Sequence, residues 1–352
     1  MSQRDLKIKN LLIVRTDRIG DVILSLPIAR IVKEKYPDCR ITFLVRAYTS
    51  ELVKDHPYID EFMILKENNG IPDLSSNIKM IRSKQFDAAI VVYPTFKTSL
   101  IIFLSKIPVR VGTGYRWYSM LFNSKVFEHR KDARKHELEY NTALLKNIGI
   151  AETVSKDSVK FDLKPSEEAK RFIENLLNEE KIYDDKKIVI VHPGSGGSSI
   201  DLPVDKFIEL VKSLSAKPEI QLLITGMETE KQICGNISKV SGAINLAGRL
   251  SLSQLIALIS RAQLFISNST GPIHIAAALN ISTIGFYPKI QACSAKRWGP
   301  YSNKSFVFTP QIDCSNCNRE QCERLNCMSS ININDVIVSA EKILNLDEKN
   351  GE

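Results

Sequence analysis

The sequence lacks the features that would take a chain into or across a membrane. Its 352 residues contain no uncharged apolar run of about 18 residues, the length that a spanning helix needs. The first ten residues, MSQRDLKIKN, lack the apolar core of a secretory signal peptide. These two absences predict a protein that stays in the cytoplasm.

Two common nucleotide-binding patterns are missing as well. The stretch after the first apolar run has no GxGxxG, which argues against a dinucleotide fingerprint at this end of the chain. The Gly- and Ser-rich stretch His192–Ser199 has neither the spacing of a Walker A loop nor its lysine. No short-period repeat or low-complexity tract occurs, which excludes a solenoid.

The seven cysteines do not indicate a disulfide framework in a chain expected to be cytoplasmic. Four of them lie close together, at Cys314, Cys317, Cys322 and Cys327. A C-x2-C pair is a knuckle that zinc uses, although the remaining spacing matches no standard finger. We interpret the four as a structural zinc site without a catalytic role, and an iron–sulfur site or free thiols are the alternatives.

The positive charge is unevenly distributed. The net charge is +8, yet residues 1–165 hold 28 Lys and Arg against 19 Asp and Glu, and the rest of the chain holds 20 against 21. A basic half attracts anions such as nucleic acid, phosphorylated sugars or an acidic membrane face. Simple solubility is the alternative.

The order of segments predicts an α/β protein with two doubly wound domains. Continuous apolar runs alternate with helical patterns, at residues 11–15, 41–45 and 88–93, and again from 187–192 onward. Residues 1–165 and 166–330 then form two Rossmann-like domains facing across a cleft, with ligands at the carboxyl ends of strands. Residues 331–352 would form a terminal helix, which we expect either to stay apart or to pack back on the first domain.

The first candidate site is RTDRIGD, which follows the first strand directly. Strand-end loops of α/β proteins carry reactive side chains, so Asp21 is expected in a turn facing the ligand. The alternative is that Asp21 only caps a helix.

Two further strand-end segments are candidates for holding a nucleotide. In HPGSGG, Ser195 and Gly196 would let backbone amides approach a phosphate, although a flexible turn explains the same residues. In TGMETE, Gly226 allows a tight turn and Glu230 would accept from ribose hydroxyls. A solvated glutamate is the alternative for Glu230.

The fourth candidate is SNSTGPIH, at the joint between an apolar strand and an alanine-rich helix. Ser269, Thr270 and Gly271 precede Pro272 at the first helical turn, where unpaired amides and the positive end of the helix dipole favour an anion. His274 can donate there too, or it is a core histidine. The sequence therefore predicts a site for the diphosphate of a nucleotide-sugar.

Taken together and in this order, these motifs resemble glycosyltransferase family 9, the heptosyltransferase-like enzymes. The matching pieces are ILSLP behind RIGD, HPGSGG, TGMETE, LAGRLSLSQLIALISRAQLFISNSTGPIHIAAAL and KRWGPY, over about residues 10 to 345. The resemblance implies the GT-B fold, inverting transfer from a nucleotide-activated sugar such as ADP-heptose, and no catalytic metal. It also implies acceptors in the lipopolysaccharide core.

The resemblance assigns roles by position. Asp21 matches the catalytic base, which would take the acceptor hydroxyl proton. Arg15 matches a basic position near the donor phosphates, and Glu230 matches the ribose-binding glutamate. The loop that contains Ser269, Thr270, Gly271 and His274 matches the loop that holds the diphosphate and the sugar.

Two departures from the family pattern stand out. Ser269 replaces an Asp that often holds the donor sugar, and Ile200–Pro203, IDLP, replaces a Lys-Arg-Trp-Pro stretch. Loss of one charge-assisted contact costs about 1.5–3 kcal/mol if nothing compensates. The sugar therefore need not be heptose, and Arg15, Arg18 or Arg249 are candidates to meet the leaving diphosphate.

The sequence thus predicts a glycosyltransferase at the cytoplasmic face of the inner membrane. Its partners would be a nucleotide-diphosphate-sugar, a lipid-linked anionic glycan acceptor and the membrane surface, with no nucleic acid. One alternative is a non-catalytic relative that binds nucleotide-sugars. An iron–sulfur oxidoreductase is another, and it rests on the cysteines alone.

Overall fold

The computed structural model describes residues 8–182, 185–312 and 318–346. The chain forms two compact units, one of residues 1–130 and 135–163 and one of residues 131–134 and 164–352. Within the described ranges, no helix has both the length and the apolar character needed to cross a bilayer.

The first unit is built on a parallel six-stranded sheet with helices between the strands. Its elements in chain order are β1 (Asn10–Val14), α1 (Ile19–Ile23), α2 (Pro27–Lys35), β2 (Arg40–Val45), β3 (Glu61–Ile64), β4 (Glu67–Asn68), β5 (Ile71–Pro72), α3 (Leu74–Arg82), β6 (Ala88–Val91), α4 (Phe96–Leu104), β7 (Val109–Thr113), β8 (Ser124–Val126) and α5 (Glu137–Ala143).

Strand order places the ends of β1 and β6 side by side. The order in the sheet is β3-β2-β1-β6-β7-β8, and β4 and β5 form a separate antiparallel pair. The chain leaves β1 toward β2 on one side and returns to β6 on the other, so the order reverses between β1 and β6. Ligands of doubly wound sheets bind at this switch point, outside the carboxyl ends of the strands.

The second unit repeats the plan. Its elements are α6 (Glu167–Glu179), β9 (Lys187–His192), α7 (Val204–Ser215), β10 (Ile220–Ile224), α8 (Lys231–Ser241), β11 (Ile244–Asn245), α9 (Leu252–Ser260), β12 (Leu264–Asn268), α10 (Gly271–Ala278), β13 (Ser282–Phe286), α11 (Ala295–Trp298), β14 (Ser305–Phe308), α12 (Arg319–Arg324) and α13 (Ile333–Ile343). The sheet order is β11-β10-β9-β12-β13-β14, all parallel, with the switch point between β9 and β12.

The strands are where apolar runs predicted them because both faces of each sheet are covered. Residues Leu11–Val14 of β1 and Val189–Val191 of β9 have no exposed surface. Helices begin at side-chain caps, such as Thr95 before α4, whose hydroxyl accepts from the Thr98 amide. Burial of continuous Val, Ile and Leu runs on both faces fixes the two sheets.

The terminal helix α13 lies in the second unit. Ile333, Val336 and Ala340 are buried in one core cluster with Val189 of β9 and Phe207 of α7. The expectation that this helix packs back on the first domain is therefore wrong. Its apolar face follows helical spacing, but spacing does not say which sheet that face will cover.

Candidate active site

A buried arginine lies at the switch point of the first unit. Arg15 follows β1 directly and its side chain has no exposed surface. Its Nε lies 2.8 Å from Oδ1 of Asp17, and one terminal nitrogen forms an ion pair with Asp21. The same nitrogen lies 3.7 Å from Oε1 of Glu137. One cation thus gathers three carboxylates at the end of a central strand.

Asp21 lies in the first turn of α1, and not in a turn before a helix as expected. The residue at the cap position is Arg18, so Asp21 is not the helix cap either. Its side chain is 15% exposed, while its partner Arg15 is fully buried. The Asp21 carboxylate is therefore held by a buried guanidinium and stays partly exposed to solvent. A general base needs both a fixed position and access to the group that gives up the proton.

A second layer holds this cluster in place. Asn141 accepts from Arg15 Nη1 at 3.4 Å and from Arg130 Nη1 at 3.0 Å. Its amide nitrogen donates to the Leu24 carbonyl at 3.0 Å. Arg130 also forms an ion pair with Glu137, which begins α5. Sequence analysis missed Glu137, Asn141 and Arg130, since no motif links them to a strand more than 100 residues earlier.

The three carboxylates around Arg15 share one positive charge. Burial raises the pKa of Asp17 to about 7, although Arg15 acts in the opposite direction. Burial alone would lower the pKa of Arg15, but Asp17, Asp21 and Glu137 together raise it, so the guanidinium stays charged. Asp17 is thus partly protonated near neutral pH.

Arg15 was expected to contact the donor phosphates, and its position argues for another role. The guanidinium is fully buried and surrounded by carboxylates in the first unit, whereas the other predicted donor-binding residues lie in the second unit. A phosphate would have to displace one of these carboxylates to reach it. The contacts favour Arg15 as the residue that positions Asp21.

In the second unit, the predicted donor segments follow three neighbouring strands. His192–Ser199 begins at the end of β9, Thr225–Glu230 follows β10, and Ser269 and Thr270 follow β12. Because β10, β9 and β12 are adjacent and parallel, all three segments lie at one edge of one sheet. The structure thus brings together the motifs that the sequence scatters over about 80 residues.

Glu230 connects two of these segments. One carboxylate oxygen accepts from the Gly196 amide at 3.2 Å and the other from the Met227 amide at 2.8 Å. A Cβ on Gly194 would overlap this carboxylate, which explains a glycine there. Glu230 is buried, so the alternative of a solvated helix residue is wrong. A carboxylate has about four acceptor positions, which leaves room for ribose hydroxyls beside the two amides.

Asn268 and Ser198 connect the segments after β9 and β12. Asn268 accepts from the Leu202 amide at 2.8 Å and donates to the Pro193 carbonyl at 2.5 Å. Ser198 Oγ donates to the Ser269 carbonyl at 2.9 Å. In the described part of the chain, the buried hydroxyl of Ser199 has no hydrogen-bond partner, and the buried hydroxyl of Ser195 interacts only with the Asp201 carboxylate. Buried hydroxyls of this kind call for a ligand or water, because burial without a partner is costly.

The helix that follows β12 begins where the sequence predicts an anion site. Thr270 is the cap residue of α10 and is extended, and its side chain makes no cap hydrogen bond. Pro272 occupies the first turn, and His274 is buried in the same turn. The helix dipole and the first-turn amides favour a negative group here, and the Thr270 hydroxyl is left for the same ligand.

His192 also belongs to this site, although sequence analysis gave it no role of its own. Its Nδ1 lies 3.0 Å from the Thr225 hydroxyl and its Nε2 lies 3.9 Å from Glu230. Burial lowers the pKa of His192 to about 4, against the opposing effect of Glu230. The ring is therefore neutral at physiological pH and positions the Thr225–Glu230 segment without adding charge.

Arg319 is the cation that lies on the glycine loop. Its two terminal nitrogens donate to the carbonyls of Gly197 and Ser199, each at 3.2 Å. Arg249, which the sequence offered as a candidate for the diphosphate, is paired with Glu180 at 2.7 Å. No sequence signal pointed to Arg319, because it is 120 residues away from the loop that it contacts.

The structure describes two of the four clustered cysteines. The side chains of Cys322 and Cys327 are buried, while Cys314 and Cys317 lie outside the described residues. Among the described residues, no group of three or more His, Cys, Asp or Glu side chains is placed to hold a metal. The predicted zinc site therefore stays a prediction.

Comparison with known proteins now gives the family. The model of glycosyltransferase family 9 (heptosyltransferase) matches residues 75–328 of the chain. The chain belongs to glycosyltransferase family 9. The resemblance stated from the motifs is confirmed, and the protein is a glycosyltransferase.

Relatives of this family 9 member match over nearly their full length. Lipopolysaccharide heptosyltransferase 3 of Escherichia coli is 24% identical over 336 residues, which cover 92% of this chain and 96% of that relative. The crystal structure of a family 9 glycosyltransferase from Veillonella parvula matches with a TM-score of 0.82 at 18% identity, covering 98% of this chain and 99% of that one.

A second solved structure agrees. ADP-heptose lipopolysaccharide heptosyltransferase II of Escherichia coli matches with a TM-score of 0.78 at 22% identity, covering 96% of this chain and 99% of that one. At these identities the structures show the fold alone. The predicted fold class, two Rossmann-like α/β units as in GT-B enzymes, is confirmed.

Proposed function

We propose that this family 9 enzyme transfers heptose or a related sugar, with inversion, from a nucleotide-diphosphate donor such as ADP-heptose to a lipopolysaccharide core or similar cell-surface glycan. The observation that supports this most is the buried Arg15–Asp21 pair at a strand end. A non-catalytic binding protein would have no need for a carboxylate that is fixed by a buried cation and yet partly open.

In this proposal Asp21 is the general base. The acceptor oxygen forms a bond to the anomeric carbon as its proton passes to the Asp21 carboxylate, and the bond from that carbon to the diphosphate breaks. The nucleotide diphosphate leaves with both electrons of the broken bond. Attack from the face opposite the leaving group inverts the anomeric centre. As the family resemblance implies, the proposal includes no catalytic metal.

The donor is held by the strand-end segments of the second unit. The diphosphate lies at the first turn of α10, by Thr270 and Gly271, and receives hydrogen bonds from the buried hydroxyls of Ser195 and Ser199. The ribose hydroxyls donate to Glu230. Arg319 adds positive charge near the glycine loop, where the family pattern has a lysine that this chain lacks.

We further propose that the enzyme is peripheral at the cytoplasmic face of the inner membrane, where a lipid-linked anionic acceptor would be available. The four clustered cysteines are proposed to bind one structural zinc. The side chains of Cys322 and Cys327 are buried, which suits ligands withdrawn from solvent.

The test is transfer from radiolabelled ADP-heptose to purified core-deficient lipopolysaccharide, with the parent enzyme and with Asp21→Asn. Incorporation by the parent and not by the variant supports the proposal. A panel of other nucleotide-sugars identifies a different donor, since a ligand at 100 times its Kd raises stability by about 2.7 kcal/mol. Tight donor binding with no transfer to any acceptor would instead support the non-catalytic alternative.

A further inference from the structure

The first unit exposes a cluster of large apolar side chains beside its switch point. Trp117 is 72% exposed, Met120 is 74% exposed and Phe127 is 63% exposed, and Phe96 and Tyr115 are also exposed. We call these five residues the aromatic face. Large apolar side chains are exposed to this degree mainly where a surface binds a partner or a membrane.

The rings of the aromatic face contact one another. The Phe96 and Trp117 ring centres are 4.8 Å apart, and those of Tyr115 and Phe127 are 5.6 Å apart in an edge-on arrangement. Tyr115 and Trp117 are separated by one residue, which joins the two pairs. The face is therefore a continuous surface and not a scatter of single exposed residues.

The backbone beneath the face is fixed by hydrogen bonds. Ser119 Oγ donates to the Thr113 carbonyl at 2.7 Å and accepts from the Arg116 amide at 3.0 Å. The Tyr118 hydroxyl donates to the Pro94 carbonyl at 2.7 Å. These bonds hold the exposed rings out before any partner arrives, which lowers the entropic cost of docking.

The segment that carries the face has charge of one sign, and Glu128, which follows Phe127, is paired with Lys135 at 2.6 Å. Residues 93–127 contain five basic residues and no Asp or Glu, and the basic ones are Lys97, Lys106, Arg110, Arg116 and Lys125. Lys97, Arg116 and Lys125 are exposed. Trp and Tyr together with Lys and Arg are the residues that settle at a bilayer interface, and basic side chains are attracted to anionic headgroups.

The aromatic face adjoins the candidate base. The ring centre of Tyr93, at the end of β6, lies 5.9 Å from the guanidinium carbon of Arg15. Tyr93 itself is 46% exposed, and the Pro94 carbonyl next to it accepts from the hydroxyl of Tyr118, which follows Trp117 of the face. A membrane against the face would therefore lie near Asp21, which Arg15 holds.

We propose that the aromatic face docks the enzyme on the surface of an anionic lipid bilayer, with the exposed rings in the headgroup region and the basic side chains on the phosphates. The choice of a bilayer as the partner rests on the proposed function, because a lipid-linked acceptor is met at a membrane. Docking by this face presents the Asp21 carboxylate to the first sugars that emerge from the bilayer.

Vesicle flotation tests the proposal without donor or acceptor. The parent protein is mixed with vesicles of equal parts phosphatidylglycerol and phosphatidylethanolamine, or with phosphatidylcholine vesicles, at low and at high salt. We expect binding to the anionic vesicles, weakened by salt, and little binding to phosphatidylcholine. The absence of acceptor from the vesicles separates binding to the bilayer from binding to the glycan.

The variants are Arg116→Glu and the pair Trp117→Ser with Met120→Ser. Reversal of one charge should weaken binding to anionic vesicles about 25-fold, since each basic side chain at such a surface contributes about fivefold. The apolar pair should lose binding even at low salt. Matched controls are Lys239→Glu and Val338→Ser, both at exposed positions of the second unit, and they should bind as the parent does. Circular dichroism melting of each variant checks that it is folded.

Each result separates this proposal from the proposed function. Parent-like vesicle binding by both folded variants overturns the docking surface, even if transfer activity is intact. Vesicle binding that the variants lose, in a protein that transfers no sugar, supports the surface and contradicts the enzyme function. If the face is instead covered by a second copy of the chain, sedimentation velocity will show a dimer that Trp117→Ser with Met120→Ser dissociates, with no vesicle binding, and the proposal is wrong.

Discussion

The two switch points of this enzyme differ in the charge of the groups around them. In the first unit the strand end holds a buried cation and three carboxylates, around Arg15. In the second unit the strand ends hold backbone amides, hydroxyls, a neutral histidine, the Glu230 carboxylate that ties loops together, and Asp201 beside Ser195. A general base needs a carboxylate held in place. An anionic diphosphate, by contrast, is bound well by several neutral N–H and O–H groups and by a helix N-terminus. One fold plan, used twice, therefore presents two chemically different strand-end sites.

The largest expected effect comes from removing the base. Asp21→Asn should lower kcat about 100- to 10,000-fold, the usual contribution of a general base, because the acceptor proton has no nearby carboxylate. Affinity for the nucleotide diphosphate should not change, since the donor groups belong to the second unit. Steady-state kinetics and calorimetry with ADP measure the two quantities. Wild-type turnover in Asp21→Asn would remove Asp21 from the mechanism.

The buried cation of the first unit is tested by stability. Arg15→Ala should lower the free energy of unfolding by about 3–5 kcal/mol, because it leaves three carboxylates without their shared partner. The matched control, Arg40→Ala, breaks a pair with Glu61 in which Arg40 is 59% exposed, and should cost under about 1 kcal/mol. Urea denaturation measures both.

Arg15→Lys keeps the charge and serves where the alanine variant does not fold. A lysine cannot reach Asp17 and Asp21 with one planar group, so the base should be held less well and kcat should fall while affinity for ADP stays unchanged. An unchanged kcat and unchanged stability in the arginine variants would contradict the positioning role.

The neutral site of the second unit predicts smaller losses. Thr270→Val and Glu230→Ala should each weaken binding of the nucleotide diphosphate by about 1–3 kcal/mol, through loss of a hydrogen bond to a charged or buried partner. Calorimetry measures the affinity, with Asp21→Asn as the variant expected to bind normally. If both second-unit variants bind as tightly as the parent, the donor is held elsewhere.

A bound metal would add a structural element to the second unit only. We expect about one zinc per chain in protein purified under reducing conditions, in keeping with a single four-cysteine site. A chelator should lower the melting temperature while transfer activity persists at temperatures where the protein is folded. Elemental analysis and thermal denaturation decide the matter, and protein that is free of metal, active and equally stable leaves only free thiols.

The last expected effect is a pH dependence that belongs to the first unit. The folded pKa of Asp17, about 7, lies above its ordinary value of 3.8. Its contribution to stability is therefore complete below pH 3.8 and is lost as the pH rises to about 7. Asp17→Asn should remove this loss, which a shift of about three pKa units puts at no more than about 4 kcal/mol.

The measurement is the free energy of unfolding of parent and variant from pH 4 to pH 8. Arg15, Asp21 and Glu137 face the same cluster in both proteins, so the difference between the two curves isolates Asp17. Parallel curves would show that Asp17 is ionised throughout this range.

The sequence by itself determined the two parallel sheets and the location of each strand-end motif. Apolar runs such as Lys187–His192 and Ile220–Ile224 became strands because only a sheet covered on both faces buries them fully. The motifs at Asp21, Gly196, Glu230 and Thr270 then had to lie at carboxyl ends of strands. These features depend on residues close together in the chain, so local pattern was enough.

The tertiary structure alone decided which distant side chains meet those motifs. Asn141 reaches Arg15 from 126 residues away, and Arg319 reaches the Gly197 carbonyl from 122 residues away. The packing of α13 against the core of the second unit also depends on residues far apart in the chain. Strand order and helix packing set these contacts, and neither is encoded in the periodicity of one segment. The chemistry of each site was therefore readable from the chain, whereas the groups that hold it in place were not.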